Sequence, residues 1–147
     1  MITISQALIA HLGSVSAVST LVGDRIYPDV APLGELEAQL ILTVESTEEF
    51  GALTAGSVGI ARSTVEISAR SGARGTSDSV ARAVRAALLN IEHETIAASI
   101  DSGLWIDSVE LGEAGVESRV EPPKEGSDDW RYHSLQKFKV FHAVPSV

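Results

Sequence analysis

Residues 76–91 read TSDSVARAVRAALLNI and form the most regular stretch of the chain. Apolar side chains recur there at the three- and four-residue spacing of one helical face: Val80, Val84, Ala87, Leu88 and Ile91. Thr76 or Ser77 can cap the first turn. Arg82 and Arg85 fall on the solvent side. The stretch predicts one long helix of about 24 Å, around which the rest of the chain packs.

The composition is that of one globular domain. The 147 residues, 44% of them hydrophobic, suffice for one core but not for two, so we expect a single domain over residues 1–147. The chain has no cysteine, which excludes disulfides and thiolate zinc sites. The opening MITISQALIA has no signal-peptide pattern, and no run of about eighteen apolar residues occurs. We therefore expect a soluble protein that does not enter a membrane.

The charge balance is acidic, with a net charge of −9 from 20 acidic and 11 basic residues. Acidic residues predominate near both ends of the chain, and arginines predominate in the middle. A groove that grips nucleic acid needs clustered Lys and Arg. The composition therefore argues against a groove that grips nucleic acid, but it does not argue against a surface that DNA passes without adhering.

Other periodic stretches predict one more helix and four strands. Residues 3–12 predict the first helix, because Thr3 and Gln6 have capping-box spacing. Runs of branched or alternating apolar residues predict strands at 39–46, 60–70, 104–111 and 130–144. Residues 48–59 are predicted as a hairpin loop and residues 112–129 as a long acidic loop. This order predicts an α+β fold with a mostly antiparallel sheet of about four strands and two helices packed on one face.

Sequence motifs for catalysis or metal binding are weak throughout the chain. His93 has no second histidine four residues away on a helix, so the zinc-protease arrangement is missing. His133 and His142 fall on opposite faces of one predicted strand and cannot share a metal. No Gly-x-Ser-x-Gly elbow occurs, although a Ser-His-Asp triad assembled from distant residues stays open.

Two loops could hold an ion, and neither has a specific motif. The turn at residues 72–75 precedes a helix, where phosphate can bind, but it lacks the Walker lysine. The acids of residues 112–129 match no EF-hand spacing. We therefore predict no catalytic, cofactor-binding or metal-binding residues and no cofactor.

The segment at residues 21–28, LVGDRIYP, resembles the N-terminal signature of tail-completion proteins from long-tailed bacteriophages. Its signature residues are Leu21, Gly23, Arg25, Ile26, Tyr27 and Pro28. The later elements also agree in order with that family, from the strand at 39–46 to the closing strand, so that the resemblance covers nearly the whole chain.

The resemblance implies a non-enzymatic virion protein of the tail terminator type, which caps the tail tube and joins it to the head–neck complex. Its copies would form a ring, commonly a hexamer, between the major tail tube protein and a head–neck connector protein, and DNA would pass through without specific binding. The protein would reside at the tail–neck junction of the virion, and in the host cytoplasm during assembly. A neck or head-completion protein is a close alternative. A small α+β enzyme or ligand-binding domain is the alternative of another class.

Charged and aromatic residues near the predicted loops are the candidate contacts between copies or with partners. They are Glu48, Glu49, Arg62, Arg70, Arg74, Asp128, Asp129, Trp130 and Arg131. In a ring, each interface joins one patch to a different patch, so an uneven distribution of charge along the chain suits such an assembly. An acidic lumen would repel the phosphate backbone of DNA.

Overall fold

The computed structural model describes residues 2–32, 37–50, 59–112, 115–123, 126 and 128–144. Along this part of the chain the elements are α1 (Ile4–Ser14), α2 (Ser16–Val22), β1 (Ile26–Pro28), β2 (Gln39–Phe50), β3 (Ile60–Ser71), α3 (Arg74–Leu89), β4 (Glu92–Ile96), β5 (Leu104–Leu111), β6 (Glu117–Glu121) and β7 (Arg131–Ala143). The strands form one sheet in the order β1-β2-β3-β7-β5-β4, and β6 also pairs with β7. The β1–β2 pair is parallel and the other pairs are antiparallel.

The expected sheet of about four strands with two helices is wrong, because the described residues form a curled, mixed, seven-stranded half-barrel with three helices. Two of the strands missed, β4 and β6, have five residues each and are rich in glutamate. The third, β1, has three residues. Such segments have little strand propensity of their own. They are strands because β2, β5 and β7 offer backbone groups that pair with them.

The third helix arises from a sharp bend near the N-terminus. Val15 has extended backbone between α1 and α2, and the two helices meet at 90°. Within the described residues no single helix is long and apolar enough to cross a membrane, and only the bent pair of α1 and α2 meets that test of length and composition.

The stretch predicted as an acidic loop contains strand β6. β5 and β6 pair with successive halves of β7, since Leu111 pairs with Phe138 and Glu117 pairs with Leu135. The two strands therefore form one interrupted arm of a long hairpin whose other arm is β7. Sequence periodicity does not reveal β6, because its five residues ESRVE contain a single apolar side chain.

The long helix begins and ends two residues earlier than predicted. Its N-cap is Ala73, which makes no capping hydrogen bond with its side chain, so the expected cap at Thr76 or Ser77 is wrong. Ser77 lies inside the helix, where its hydroxyl donates to the Arg74 carbonyl at 2.9 Å. The predicted apolar face of the helix is confirmed for Val80, Val84 and Leu88, whereas Ile91 is buried beyond the end of α3.

The core lies on the inner side of the curled sheet. α3 packs on β3, β5 and β7, whereas α1 contacts β1 and β2 near one edge and β4 at the other. Contact of one helix with both edges requires the sheet to curl around the helices. The alternation predicted for residues 130–144 is confirmed, because Gln136, Phe138, Val140 and His142 are all buried.

Candidate interaction surface

The predicted contact residues fall mainly at opposite ends of β3. Glu48 and Arg62 form an ion pair of 2.6 Å across β2 and β3, near the connection between these strands. Arg70 lies near the other end of β3, and Arg74 begins α3 just beyond it. Arg62 and Arg70 are eight positions apart, which corresponds to roughly 26 Å along a strand. One chain therefore carries two separate groups of candidate contacts.

The first group forms what we call the hairpin surface, which consists of Glu48, Glu49, Phe50, Ile60 and Arg62. Phe50 pairs with Ile60, and each side chain is 46% exposed. The Arg62 guanidinium lies 5.9 Å from the centre of the Phe50 ring. Glu49 makes no ion pair with any residue in the described part of the chain. Because successive residues of a strand face opposite sides, Glu49 lies on the face opposite Phe50, Ile60 and the Glu48–Arg62 pair. The hairpin surface therefore combines two exposed apolar side chains on one face with one excess negative charge on the other.

The start of the loop predicted at residues 48–59 is wrong. Residues 48–50 belong to β2 and residue 60 begins β3. Residues 51–58 of the predicted loop lie outside the described residues.

The second group surrounds a groove between α3 and β6. Asp78, Ala81 and Arg82 line one wall of this groove of about 320 Å³, and Val116 and Ser118 line the other. β6 is held beside the helix through β7. Ser118 pairs with Ser134, whose hydroxyl donates to Asp78 Oδ1 at 2.7 Å.

Exposed apolar and basic side chains extend this groove. We call the groove surface the set Arg74, Asp78, Arg82, Val116, Ser118, Val120 and Tyr132. Val116 and Val120 are 47% and 42% exposed. Val120 pairs with Tyr132, and the Arg74 guanidinium lies 5.3 Å from the centre of the Tyr132 ring. Among the described residues, neither Arg74 nor Arg82 has an ion-pair partner. The groove surface is therefore apolar with excess positive charge.

The other predicted contacts lie near the start of β7. Trp130 is 49% exposed and directly precedes Arg131, which pairs with Glu121 of β6. Asp128 and Asp129 are exposed immediately before Trp130. Their role in contacts stays a prediction.

Arg70 belongs to a cluster that fastens β6 to the sheet. It forms an ion pair of 3.2 Å with Glu121, and only 14% of its side chain is exposed. His133 Nε2 lies 3.0 Å from the same Glu121 oxygen. The hydrogen bond from His133 and the positive charge of Arg70 lower the pKa of Glu121. The cluster spans β3, β7 and β6, so it holds the outer wall of the groove in place.

A buried hydrogen-bond chain that sequence reasoning missed joins Thr47, Ser63 and His142. Thr47 Oγ1 lies 2.9 Å from Ser63 Oγ, which lies 2.8 Å from His142 Nε2. His142 Nδ1 donates to the carbonyl of Ala143 at 2.9 Å, so Nε2 accepts from Ser63. Ser63 is 0% exposed, and His142 Nδ1 is bonded to a backbone carbonyl and not to a carboxylate. This arrangement therefore joins strands and offers no accessible nucleophile. The sequence feature that indicates this chain is the alternation at residues 130–144, which places His142 on the same strand face as Phe138 and Val140.

The buried His142 predicts a loss of stability at mildly acidic pH. Burial lowers the pKa of His142 below its ordinary value of 6.5, so the unfolded chain binds the proton more readily. The free energy of unfolding is therefore highest above pH 6.5 and decreases as the pH falls below it. Urea unfolding at pH 7.5 and pH 5.5 should show a decrease of about 1 kcal/mol in total.

Part of this decrease should disappear in His142→Gln. Burial lowers the pKa of His11 and His133 in the same direction, so a remainder should persist. His93→Gln is the matched control, because the His93 side chain is 62% exposed. An unchanged pH dependence in His142→Gln would contradict the assignment.

The described residues contain no group of three His, Asp or Glu side chains arranged to hold a metal ion. Glu117 and Glu121, two of the acids considered for a calcium loop, instead pair with Arg119 and Arg70. Residues 113 and 125 lie outside the described part of the chain.

The signature at residues 21–28 forms the joint between α2 and the sheet. Gly23 has φ +59° and ψ −127°, a conformation that glycine adopts far more readily than other residues. Ile26 is buried and pairs with Leu40. Arg25 Nε donates to the Ala38 carbonyl at 2.9 Å, and its guanidinium lies 3.0 Å from Glu37. These contacts hold β1 beside β2.

A family model described as "Tail completion protein gp17" matches residues 6–109. The chain belongs to this family. The expected family is confirmed, and the protein is a bacteriophage tail structural protein. The match runs from α1 into β5 and includes the signature, whereas β6 and β7 lie beyond it.

The fold of this tail-completion protein also occurs in a solved structure, "Virion of native gene transfer agent (GTA) particle". One chain there has a TM-score of 0.60 and 17% sequence identity, over 96% of this chain and 95% of that chain. At that identity the likeness shows a shared fold. No curated protein matches the chain.

The signature of the tail-completion protein should contribute to stability. Arg25→Ala should lower the free energy of unfolding by about 1.5–3 kcal/mol, because it removes two charge-assisted interactions that tie β1 to the start of β2. Chemical denaturation monitored by circular dichroism measures the change. Arg119→Ala is the matched control, since this side chain is 62% exposed and its pair is worth at most about 1 kcal/mol. Equal effects would contradict a structural role for the signature.

Proposed function

We propose that this tail-completion protein caps the tail tube as a ring of identical copies and joins the tube to the head–neck complex. The observation that carries the proposal is the family match over residues 6–109. The arrangement of exposed residues supports it, because a closed ring requires two different surfaces on each copy. The hairpin surface and the groove surface differ in charge and lie at opposite ends of β3.

A six-membered ring between the major tail tube protein and a head–neck connector is the assembly we propose. The net charge of −9 supports passage of DNA through such a ring without specific binding, since like charges repel. The protein would act at the tail–neck junction of the virion after synthesis in the host cytoplasm.

Growth of tail tubes provides the test. The major tail tube protein of the same phage should be polymerised with and without this protein, and tube lengths should be measured by negative-stain electron microscopy. We expect shorter tubes that carry an additional ring at one end. Tubes of unchanged length with bare ends would contradict capping. Binding to the head connector but not to the tube would instead identify a head-completion protein.

A further inference from the structure

The hairpin surface and the groove surface have complementary chemistry. The hairpin surface presents Phe50 and Ile60 beside Glu48 and Glu49. The groove surface presents Val116 and Val120 beside exposed arginines of α3. Each surface therefore offers apolar area together with an excess charge, negative on the hairpin surface and positive on the groove surface.

We propose that the hairpin surface of one copy docks against the groove surface of the next copy. The proposal rests on the proposed function, since it names the surfaces that build the ring. Phe50 and Ile60 lie against Val116 and Val120, where their burial supplies most of the favourable free energy. Glu49 faces Arg82 of the neighbouring copy at the rim.

Charge decides which surfaces meet. Two hairpin surfaces in contact would oppose Glu49 to its own counterpart, since Glu48 is already paired with Arg62, and two groove surfaces would oppose Arg74 and Arg82. Like charges opposed across an interface cost several kcal/mol, so both symmetric pairings are disfavoured. Contact between unlike surfaces removes that cost. It is also the heterologous contact that generates rings.

The surfaces cannot satisfy each other within one chain, because roughly 26 Å of β3 separates them. The middle of the outer face of the sheet is a weaker candidate, since several of its charges are already paired. Lys137 lies 3.1 Å from Glu45, and Arg70 lies 3.2 Å from Glu121. The arginines Arg74 and Arg82 have no such partners among the described residues.

Charge reversal tests the pairing in the full chain. Light scattering and native mass spectrometry, with tail tube present and absent, should show that Glu49→Arg and Arg82→Glu each weaken association between copies by about 10-fold or more. The double variant should restore it to within about 3-fold of the natural protein. Glu94→Arg, on the exposed edge strand β4, is the control and should associate normally. Failure of the double variant to recover would overturn the pairing.

The absence of cysteine permits a second test by cross-linking. Each variant carries one cysteine. The first mixture contains Phe50→Cys and Val120→Cys chains, and the second contains Glu49→Cys and Arg82→Cys chains. Both mixtures are then oxidised. Disulfides should join the two members of a pair, since contacting residues satisfy the required Cα separation of about 4–7 Å. Mixtures that contain Glu94→Cys should remain unlinked. No linkage in either pair, while the natural protein forms oligomers, would overturn the proposal.

The outcomes separate this inference from the proposed function. If the natural protein caps tubes while charge reversal and cross-linking have no effect, the docking is wrong and capping stands. If Arg82→Glu weakens assembly and Glu49→Arg does not, the groove binds another partner and the docking is again wrong. A protein that stays monomeric and never binds tail tube contradicts both.

Discussion

Phe138→Ala is expected to lower the free energy of unfolding by about 3–5 kcal/mol, because it removes a fully buried aromatic side chain from the centre of the sheet. Phe138 is 0% exposed and pairs with Val65 of β3 and Leu111 of β5. It therefore joins the β1-β2-β3 side of the sheet to the β5-β4 side beneath the helices. The cavity left behind cannot collapse without moving β7.

Urea unfolding measured by tryptophan fluorescence and circular dichroism gives the change in free energy. Phe50→Ala is the matched control, since that side chain is 46% exposed and its loss should cost about 1 kcal/mol or less. The two variants should separate stability from assembly. Phe50→Ala should weaken association between copies while leaving the fold nearly as stable. Similar unfolding curves for the two variants would contradict this view of the core.

Gly103→Ala should have the next largest effect, about 3 kcal/mol or more of lost stability. A Cβ atom at this position would lie 2.4 Å from the Ile96 carbonyl oxygen and 2.8 Å from Thr95 Cγ2. Gly103 also has φ +76°, which adds conformational strain for any other residue. The β4–β5 connection must open to admit the methyl group, and β4 has no other strand neighbour in the described sheet.

Two other glycines separate the effect of backbone strain from the effect of the steric clash. Gly115→Ala tests backbone strain alone, since φ is +61° and no atom lies within 4 Å of the added Cβ. It should cost about 1–2 kcal/mol. Gly75→Ala lies within α3, also without a neighbour within 4 Å, and should be neutral or stabilising by up to about 1 kcal/mol. Thermal unfolding should rank the three in this order, and a Gly103→Ala protein as stable as Gly115→Ala would contradict the clash.

The candidate surfaces could be predicted only in part. Glu48, Glu49, Arg62 and Arg74 stand out in the sequence because they are charged and flank predicted loops. Val116 and Val120 do not, because they lie in a stretch of mostly polar residues that the sequence predicts as a loop. β6 becomes a strand through its register with β7, which places Val120 beside Tyr132. Val116, just before β6, lines the groove beside α3.

The sequence by itself determined the long helix, the four longer strands and the family, because these depend on local periodicity and on the short signature at residues 21–28. Only the tertiary structure decided the seven-stranded half-barrel. Strands β1, β4 and β6 are too short or too polar to form alone, and they exist because neighbouring strands offer hydrogen bonds at the correct place. The same long-range pairing decided which charged residues stay free for a partner. Arg70 forms an ion pair with Glu121, which is distant in sequence, whereas Arg82 remains exposed on α3.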